Sequence, residues 1–366
     1  MNPTSSIAAE KAPGGLRPKV EAIASRDLRI LATQPHALAP ELERMTELLP
    51  GAMQSIGDSR RGPWHRRIRQ LWRAWTLFRT APKFDVVITV GALDGLAFAA
   101  LQRFRTARPV HVMYDCLWYG GNAVRRAWMR FCLRQVDRCV VWASVECDRY
   151  AEAYGLPKKK FSFVAHHHTL KRYNYEVSDE KYVFSGGNAD RDFGLFFEAV
   201  RDLPVACVLA TNRPQLLEGL NIPDNVRVVS VNAGEFRQLM AAARIVVMPM
   251  RATLLHAGGQ QSILNAMFMA KPVVLTDPEG GSDYIENGKT GVLVPYGDAA
   301  ALRQAIERLW NHCEEARIMG EQARAAAQRL STDRCNNEIW QMAIGIANGR
   351  SAVCEASDCL PSPKYT

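Results

Sequence analysis

Residues 266–309 read AMFMAKPVVLTDPEGGSDYIENGKTGVLVPYGDAAALRQAIERL. Two short runs, PVVLTD at 272–277 and GVLVP at 291–295, are rich in valine and do not alternate polar with apolar residues. A strand of that kind is buried on both faces, as in a parallel sheet covered by helices. An apolar helical pattern precedes the first run and AAALRQAIERL follows the second. Strand and helix therefore alternate here.

The same kind of run recurs outward along the chain. LRILAT (28–33), DVVITV (85–90), PVHVMY (109–114), CVVWAS (139–144) and FSFVAH (161–166) fall in the first half. YVFSG (182–186), VACVLAT (205–211), VRVVSV (226–231) and IVVMPM (245–250) join the opening pair in the second. Two sets of five or six runs separated by helices predict two doubly wound, Rossmann-like α/β domains with parallel sheets. The join falls in HHTLKRYNYEVSDEK (167–181), which is polar and lacks periodicity. The expected organisation is a disordered lead-in at 1–24, a first domain at 25–168, a linker at 169–181, a second domain at 182–330 and a disordered tail at 350–366.

At 366 residues the chain can hold two full cores. Its 48% hydrophobic and 23% charged content is that of a globular enzyme. A net charge of +9 suits an anionic partner: nucleic acid, acidic lipid or a phosphorylated small molecule. The nine cysteines are odd in number and form no CxxC pair, and several lie in apolar runs, as Cys139 and Cys207 do. They read as reduced core residues of a cytosolic protein and argue against a disulfide frame or a zinc site. No apolar run reaches the roughly 18 residues of a membrane span, and the N-terminus lacks the apolar centre of a signal peptide.

In open parallel sheets ligands bind outside the carboxyl ends of the strands. In the second half the residues there are Gly186, Gly187 and Asn188, then Thr211, Asn212 and Arg213, then Asn232, then the loop from Arg251 into HAGGQQSI (256–263). Gly258 and Gly259 let backbone approach a ligand closely. A helix beginning near Ser262 offers N–H groups to an anion, with Ser262 as its cap or as a phosphate donor. This loop and helix start carry neither carboxylate nor lysine.

Several phrases of the second half, in order and at matching spacing, resemble the C-terminal domain of GT-B glycosyltransferases, especially the large family 4 group. They are Ala266-Met267, Lys271-Pro272-Val273-Val274, Asn287-Gly288-Lys289-Thr290-Gly291, and Val294-Pro295 with Gly297-Asp298. The ordered match runs over about 182–330, and VDRCVVWASVECDRYAEAYGLPKKKFSFV resembles the last strand–helix–strand of the acceptor domain. The resemblance implies two domains facing across a cleft, with a final helix at 331–349 crossing back onto the first. It implies transfer of a sugar from a nucleotide-diphosphate sugar, UDP being the commonest carrier, with no cofactor and no tightly bound divalent metal. The donor would lie mostly on the second domain.

Without a metal, the leaving diphosphate needs positive charge from a helix N-terminus and a basic side chain. Relatives carry a Gly-Arg pair after the first strand of this domain and a Lys four residues beyond the Arg. Gly186 falls on the Gly, Gly187 on the Arg and Arg191 on the Lys, so one of two usual cations is missing. Arg191 is then the candidate diphosphate clamp. Relatives also place two glutamates eight positions apart around the donor loop, the first on sugar hydroxyls and the second on ribose. They fall here on Ala257 and Asn265. Asn265 can still hydrogen-bond ribose; His256 or Gln260 would take over the sugar contact that Ala257 cannot make. Together with Gln261 and Ser262 these complete the expected donor-binding set.

In the first domain, Asp115 follows PVHVMY and Asp94 lies in TVGALDG. Both are candidate catalytic bases at strand carboxyl ends, Asp115 ahead of Asp94. His111, in mid-strand, belongs to the core. His166, His167 and His168 end the last strand of the domain, and adjacent residues of an extended chain point to opposite faces. They are expected to line the cleft and not to hold metal.

Residues 60–80, RRGPWHRRIRQLWRAWTLFRT, contain seven arginines and no acid. Trp64, Ile68, Leu71, Trp75 and Phe78 share one helical face, with Arg66, Arg69 and Arg73 elsewhere. That pattern suits an anionic membrane surface or, alternatively, a stripe packed on the sheet. For AVRRAWMRFCLRQVDR (123–138) packing of Val124, Trp128 and Phe131 on the sheet is expected. No base-reading motif accompanies the charge, so nucleic acid is not an expected partner.

The expected protein is a nucleotide-sugar-dependent glycosyltransferase, most simply a hexosyltransferase with retention ranked ahead of inversion. It would build a glycan or lipid-linked product of the cell surface, in the cytoplasm or peripherally on the inner face of the plasma membrane. The alternative is a catalytically inactive GT-B homologue that binds or scaffolds.

Overall fold

The computed structural model describes residues 28–49, 63–115, 121–252, 255–277 and 279–349. The expected lead-in at 1–24, the tail at 350–366 and Cys116, Cys354 and Cys359 lie outside them.

The first domain runs β1 (Ile30–Ala32), α1 (Pro40–Met45), β2 (Thr46–Leu48), α2 (Pro63–Thr80), β3 (Val86–Val90), α3 (Ala92–Gln102), β4 (Val110–Tyr114), α4 (Ala123–Leu133), β5 (Arg138–Val141), α5 (Glu146–Tyr154) and β6 (Phe161–Phe163). The second runs β7 (Tyr182–Gly186), α6 (Phe193–Val200), β8 (Ala206–Ala210), β9 (Val226–Val229), α7 (Ala233–Ala242), β10 (Ile245–Met248), α8 (Gln260–Phe268), β11 (Val273–Asp277), β12 (Val292–Pro295), α9 (Ala299–Asn311) and α10 (Cys313–Gln328), and α11 (Thr332–Ala347) follows. The strands form two six-stranded sheets, ordered β2-β1-β3-β4-β5-β6 and β12-β11-β10-β7-β8-β9. Every pairing between them is parallel.

All eleven runs named in the sequence are strands. The additional strand, β2, is the three-residue edge Thr46-Glu47-Leu48 with Glu47 and Leu48 exposed, so it carries no apolar run to announce it. In the second sheet the chain builds β7, β8 and β9 outward and then returns to place β10 on the other side of β7. The loops after β7 and β10 therefore open side by side at a topological switch point, where such sheets bind ligands.

Helix α11 packs on the first sheet. Its Cys335, Ile339, Trp340 and Ala343 share a core with Ile30, Ile88, Val112 and Val140. Trp340 is fully buried and donates from Nε1 to Thr46 Oγ1 at 2.9 Å. Ser331 caps the helix by accepting from Arg334 N. Cys132, Cys139, Cys147, Cys207 and Cys335 are buried free thiols and Cys313 is exposed. His111 is fully buried in β4 against Thr89 Oγ1 at 2.9 Å, and burial pulls its pKa down to about 3.

The two basic helices depart from a simple packed stripe. In α2 the sheet takes Ala74 and Leu77, while Ile68, Leu71, Trp72 and Trp75 stand 50–64% exposed. Arg73 turns inward instead, toward Asp94 and the Thr33 carbonyl. In α4 the packed side is Met129, Cys132 and Leu133, and Val124, Trp128 and Phe131 face outward, contrary to the sequence expectation. Met129, Cys132 and Leu133 join a core with Met113, Cys139 and Tyr150, which leaves Trp128 and Phe131, one position earlier, on the outer side. Trp64 lies outside the residues whose side chains are described.

Candidate active site

The site assembles at the β7/β10 switch point. Gly259 is the N-cap of α8, with φ 92°, and α8 starts at Gln260. A side chain at Gly259 would be strained by that φ, and its Cβ would meet the Met250 thioether at 3.2 Å. The cap expected at Ser262 is thus replaced by a left-handed glycine, and Ser262 is the third helical residue. The helix's own bonds begin with Ile263 N donating to Gly259 O at 2.9 Å. The N–H groups of Gln260, Gln261 and Ser262 accordingly have no acceptor within the helix and carry the positive end of its dipole.

Arg191 lies directly beside this terminus. Its Nη1 is 3.6 Å from where a Gly259 Cβ would sit, and its Nε is 3.0 Å from the corresponding point at Gly187. Gly187, with φ 133°, has no room for a side chain because the Arg191 guanidinium fills it. The glycine at the missing cation's position thus makes space for the remaining one. Arg191 is 4% exposed. Its Nε donates to Gly186 O at 3.1 Å, and its Nη1 to Ala189 O at 3.0 Å and to Met250 Sδ. Among the described residues no carboxylate lies within ion-pair distance of it. Asp192 instead caps α6 by accepting from Leu195 N. Burial pulls the Arg191 pKa down to about 10, and Asp190 partly offsets this.

The neighbouring expected residues divide between lining and scaffolding. Thr211 Oγ1 donates to Asn188 Oδ1 at 3.0 Å, and Asn212 N donates to the same oxygen at 2.9 Å, so the loops after β7 and β8 are tied together. Asn232 forms a capping box for α7 with Glu235, and its Oδ1 is occupied by Gly234 N and Glu235 N. Of its side chain, this oxygen is committed to the cap. Gln260, 6% exposed, donates to the Ala257 carbonyl and shapes the loop. Gln261 and Asn265 turn toward the linker: Asn265 Oδ1 accepts from Thr169 N at 3.0 Å, and Gln261 Nε2 lies 3.4 Å from Thr169 Oγ1. Asn265 therefore fastens the domain joint where a ribose contact was expected. A narrow cleft runs beside the loop, lined by Met250, Gly258, Gln260, Asp277, Gly280 and Tyr284 among others.

His256 is 6% exposed and its Nδ1 is 2.7 Å from Glu146 Oε1. Glu146 was not among the expected site residues. It stands 110 positions away in sequence, at the start of α5 in the first domain. The available signal was a carboxylate just after the apolar run CVVWAS, at a strand's carboxyl end.

In the first domain, Asp115 follows β4 and the three histidines follow β6. Asp115 is exposed at the end of β4 and has φ 54°, a left-handed conformation that aspartate tolerates better than most residues. Its charge acts on His167, raising a pKa that burial lowers more. His166 stacks on Trp142 with ring centroids 4.6 Å apart, and His168 on Phe268 at 3.9 Å. Burial pulls them to about 3 and about 4, so both rings are neutral. Asp94 is different: Arg73 Nε lies 3.2 Å from its Oδ2, and both side chains are nearly buried between α2 and α3. Asp94, expected as a second candidate base, is thus engaged by Arg73. Among the described residues no group of three His, Cys, Asp or Glu is placed to hold a metal ion.

Residues 192–312 match the family model described as glycosyl transferases group 1. Within the second domain, these residues are similar to a group 1 glycosyltransferase domain. Over 72 residues, 19% of this chain and 19% of the relative, it is 38% identical to the D-rhamnosyltransferase WbpZ of Pseudomonas aeruginosa. Over 88 residues, 24% of this chain, it is 32% identical to EpsD of Bacillus subtilis, of which the match spans 23%. These matches cover only about a fifth to a quarter of the curated relatives. The described residues have the GT-B fold. The chain superposes on HepE of Anabaena, solved in complex with UDP, with a TM-score of 0.62 at 16% identity over 86% of this chain and 99% of that one. Sucrose-phosphate synthase from Thermosynechococcus elongatus gives 0.59 at 18% over 83% and 81%.

Proposed function

We propose that the chain transfers a hexose from a nucleoside-diphosphate sugar, carried on UDP, to a glycan or lipid-linked acceptor in cell-surface polysaccharide or glycolipid synthesis. The observation that carries this reading is Arg191, a buried cation beside the first turn of α8 that no carboxylate of the described residues meets at ion-pair distance, Asp190 acting on it only from farther off. A buried charge is costly unless it is paired. A diphosphate would supply the pair, bridging the guanidinium and the N–H groups of Gln260, Gln261 and Ser262. As the glycosidic bond breaks, charge grows on the leaving diphosphate and both devices stabilise it. Asp115, across the cleft, holds the acceptor hydroxyl and takes its proton. The match of residues 192–312 to the group 1 model and the UDP-bound state of HepE support this reading.

A panel of nucleotide sugars tests it by protection from thermal unfolding. One nucleotide sugar is expected to raise the unfolding temperature, its free sugar is not, and the rise grows with ligand concentration. Absence of protection by any UDP, GDP or dTDP sugar would contradict it. A binding protein without turnover is a second reading, favoured by the alanine at 257 and by the commitment of Asn265 to the linker.

The exposed aromatics point to where the acceptor is met. Helices α2 and α4 both lie against α3 on one side of the first domain. They present Ile68, Leu71, Trp72, Trp75, Val124 and Trp128 outward among arginines. No helix of the described residues is long and apolar enough to cross a membrane. We infer that this face rests on an anionic bilayer, with tryptophans at headgroup depth and arginines on phosphates. Sedimentation with vesicles containing anionic lipid is expected to bring the protein down. The triple variant Trp72→Ala, Trp75→Ala, Trp128→Ala should stay in the supernatant, and binding should weaken with salt. Equal partition onto neutral and anionic vesicles would contradict the electrostatic part.

A further inference from the structure

Glu146 belongs to the first domain, yet half of its hydrogen bonds are made to the second. It is 1% exposed. Its Oε2 accepts from Trp142 N at 3.0 Å and Ala143 N at 3.1 Å. Its Oε1 accepts from Ala257 N at 2.8 Å and faces His256 Nδ1 at 2.7 Å. Four donors thus converge on one side chain. Only an ionised carboxylate, which accepts and does not donate, satisfies all of them. A glutamine in its place would turn an NH₂ toward two N–H groups. The same logic places the proton of the His256 ring on Nδ1, because its partner oxygen has none to give.

The surrounding contacts show what this carboxylate secures. Asp283 Oδ2 accepts from Ser144 N at 2.7 Å, and Arg149 pairs with Glu279 at 2.5 Å. The Tyr284 hydroxyl donates to the Trp142 carbonyl and accepts from His166 N at 3.0 Å. The turn 142–149 of the first domain is therefore seated between two loops of the second, 256–257 and 279–284, which flank the cleft beside the donor loop. Of these contacts, the Glu146 carboxylate is the one that grips the donor loop itself.

We propose that Glu146 is a positioning residue for donor use: it reaches across the domain boundary to fix the backbone at Ala257 and the ring of His256. It thereby supplies, from the first domain, the carboxylate that the donor loop lacks. The donor-sugar end of the site is then complete only when the two domains are closed on each other, while the diphosphate end, built by Arg191 and α8, belongs to the second domain alone. This inference rests on the glycosyltransferase reading above.

The split between the two ends provides the test. UDP binding by calorimetry reads the diphosphate end, and release of UDP from UDP-glucose, UDP-galactose and UDP-N-acetylglucosamine reads sugar use. In the full chain, Glu146→Gln is expected to lower kcat/KM for the consumed donor by about tenfold to a hundredfold, the effect of a misplaced site. Its Kd for UDP should stay within about twofold of wild type, since Arg191 and the first turn of α8 are untouched. His256→Gln, which leaves the Ala257 contact in place, is expected to slow the same step. The double variant should be no slower than the slower single one, because the two groups act as a unit. Wild-type kinetics in folded Glu146→Gln would overturn the inference, as would equal loss of UDP affinity and donor use, the mark of a general structural role. If wild type consumes no donor, the glycosyltransferase reading fails instead, and the two failures are distinct.

Discussion

Arg191→Ala is expected to lower kcat by a hundredfold or more in a protein that remains folded. The guanidinium is held by neutral partners only, the Gly186 and Ala189 carbonyls and the Met250 sulfur. With its pKa pulled only to about 10, it is still charged at neutral pH. Burying an ion costs several kcal/mol, and Asp190, beyond ion-pair distance, offsets only part of that. The charge becomes favourable when a diphosphate arrives, and more so as the diphosphate leaves the sugar. Removing one preorganised stabiliser of that kind costs about 10²–10³ in kcat, or about 2.7–4 kcal/mol. The fold should tolerate the change, because losing a buried charge offsets the two carbonyl bonds lost with it. Arg191→Lys keeps the charge but not the planar fork that reaches both carbonyls, and it should recover only part of the rate. Steady-state kinetics and a melting curve check this. A kcat within about threefold of wild type would take Arg191 out of the site.

Asp115→Asn carries the second large effect, a loss of about 10²–10⁴ in kcat, the range of a lost general base. The carboxylate is exposed at the carboxyl end of β4, held at φ 54°, and close enough to His167 to act on its charge. Asparagine keeps the size and tolerates the backbone conformation, so the change isolates the proton-accepting role. Asp94→Asn makes the contrast. It breaks the nearly buried pair with Arg73 and should appear mainly as lower stability. Kinetics and melting temperatures of the two variants, measured together, separate the roles. A loss of less than tenfold in Asp115→Asn would instead assign the acceptor's proton to the leaving diphosphate, the route expected of retention, and would remove Asp115 from catalysis.

The sheets were legible because their strands are buried on both faces, and a run such as IVVMPM has few other places to go. β2 was not, because a three-residue edge strand with Glu47 exposed has no hydrophobic signature. Around the site, residue type and spacing located the donor loop and Arg191 but not the partners of individual side chains. Ser262 reads as a cap by type, yet a left-handed Gly259 starts the helix three residues earlier. Asn232 and Asn265 read as ligand amides, yet one caps α7 and the other bonds Thr169. Asp94 and Asp115 look alike in sequence, and only the inward turn of Arg73 tells them apart. For Glu146 the place after CVVWAS was legible but the role was not: two of its four partners lie in another domain, and one sequence holds no record of which distant residues meet.

The most direct measurement incubates the purified chain with each nucleotide sugar, in the presence of vesicles carrying bacterial lipid extract, and follows release of the free nucleoside diphosphate. Wild type is expected to consume one donor, and Arg191→Ala, equally folded, to consume it at least a hundredfold more slowly. Protection by a nucleotide sugar without consumption of any donor would contradict it, and would make this GT-B chain a binding protein.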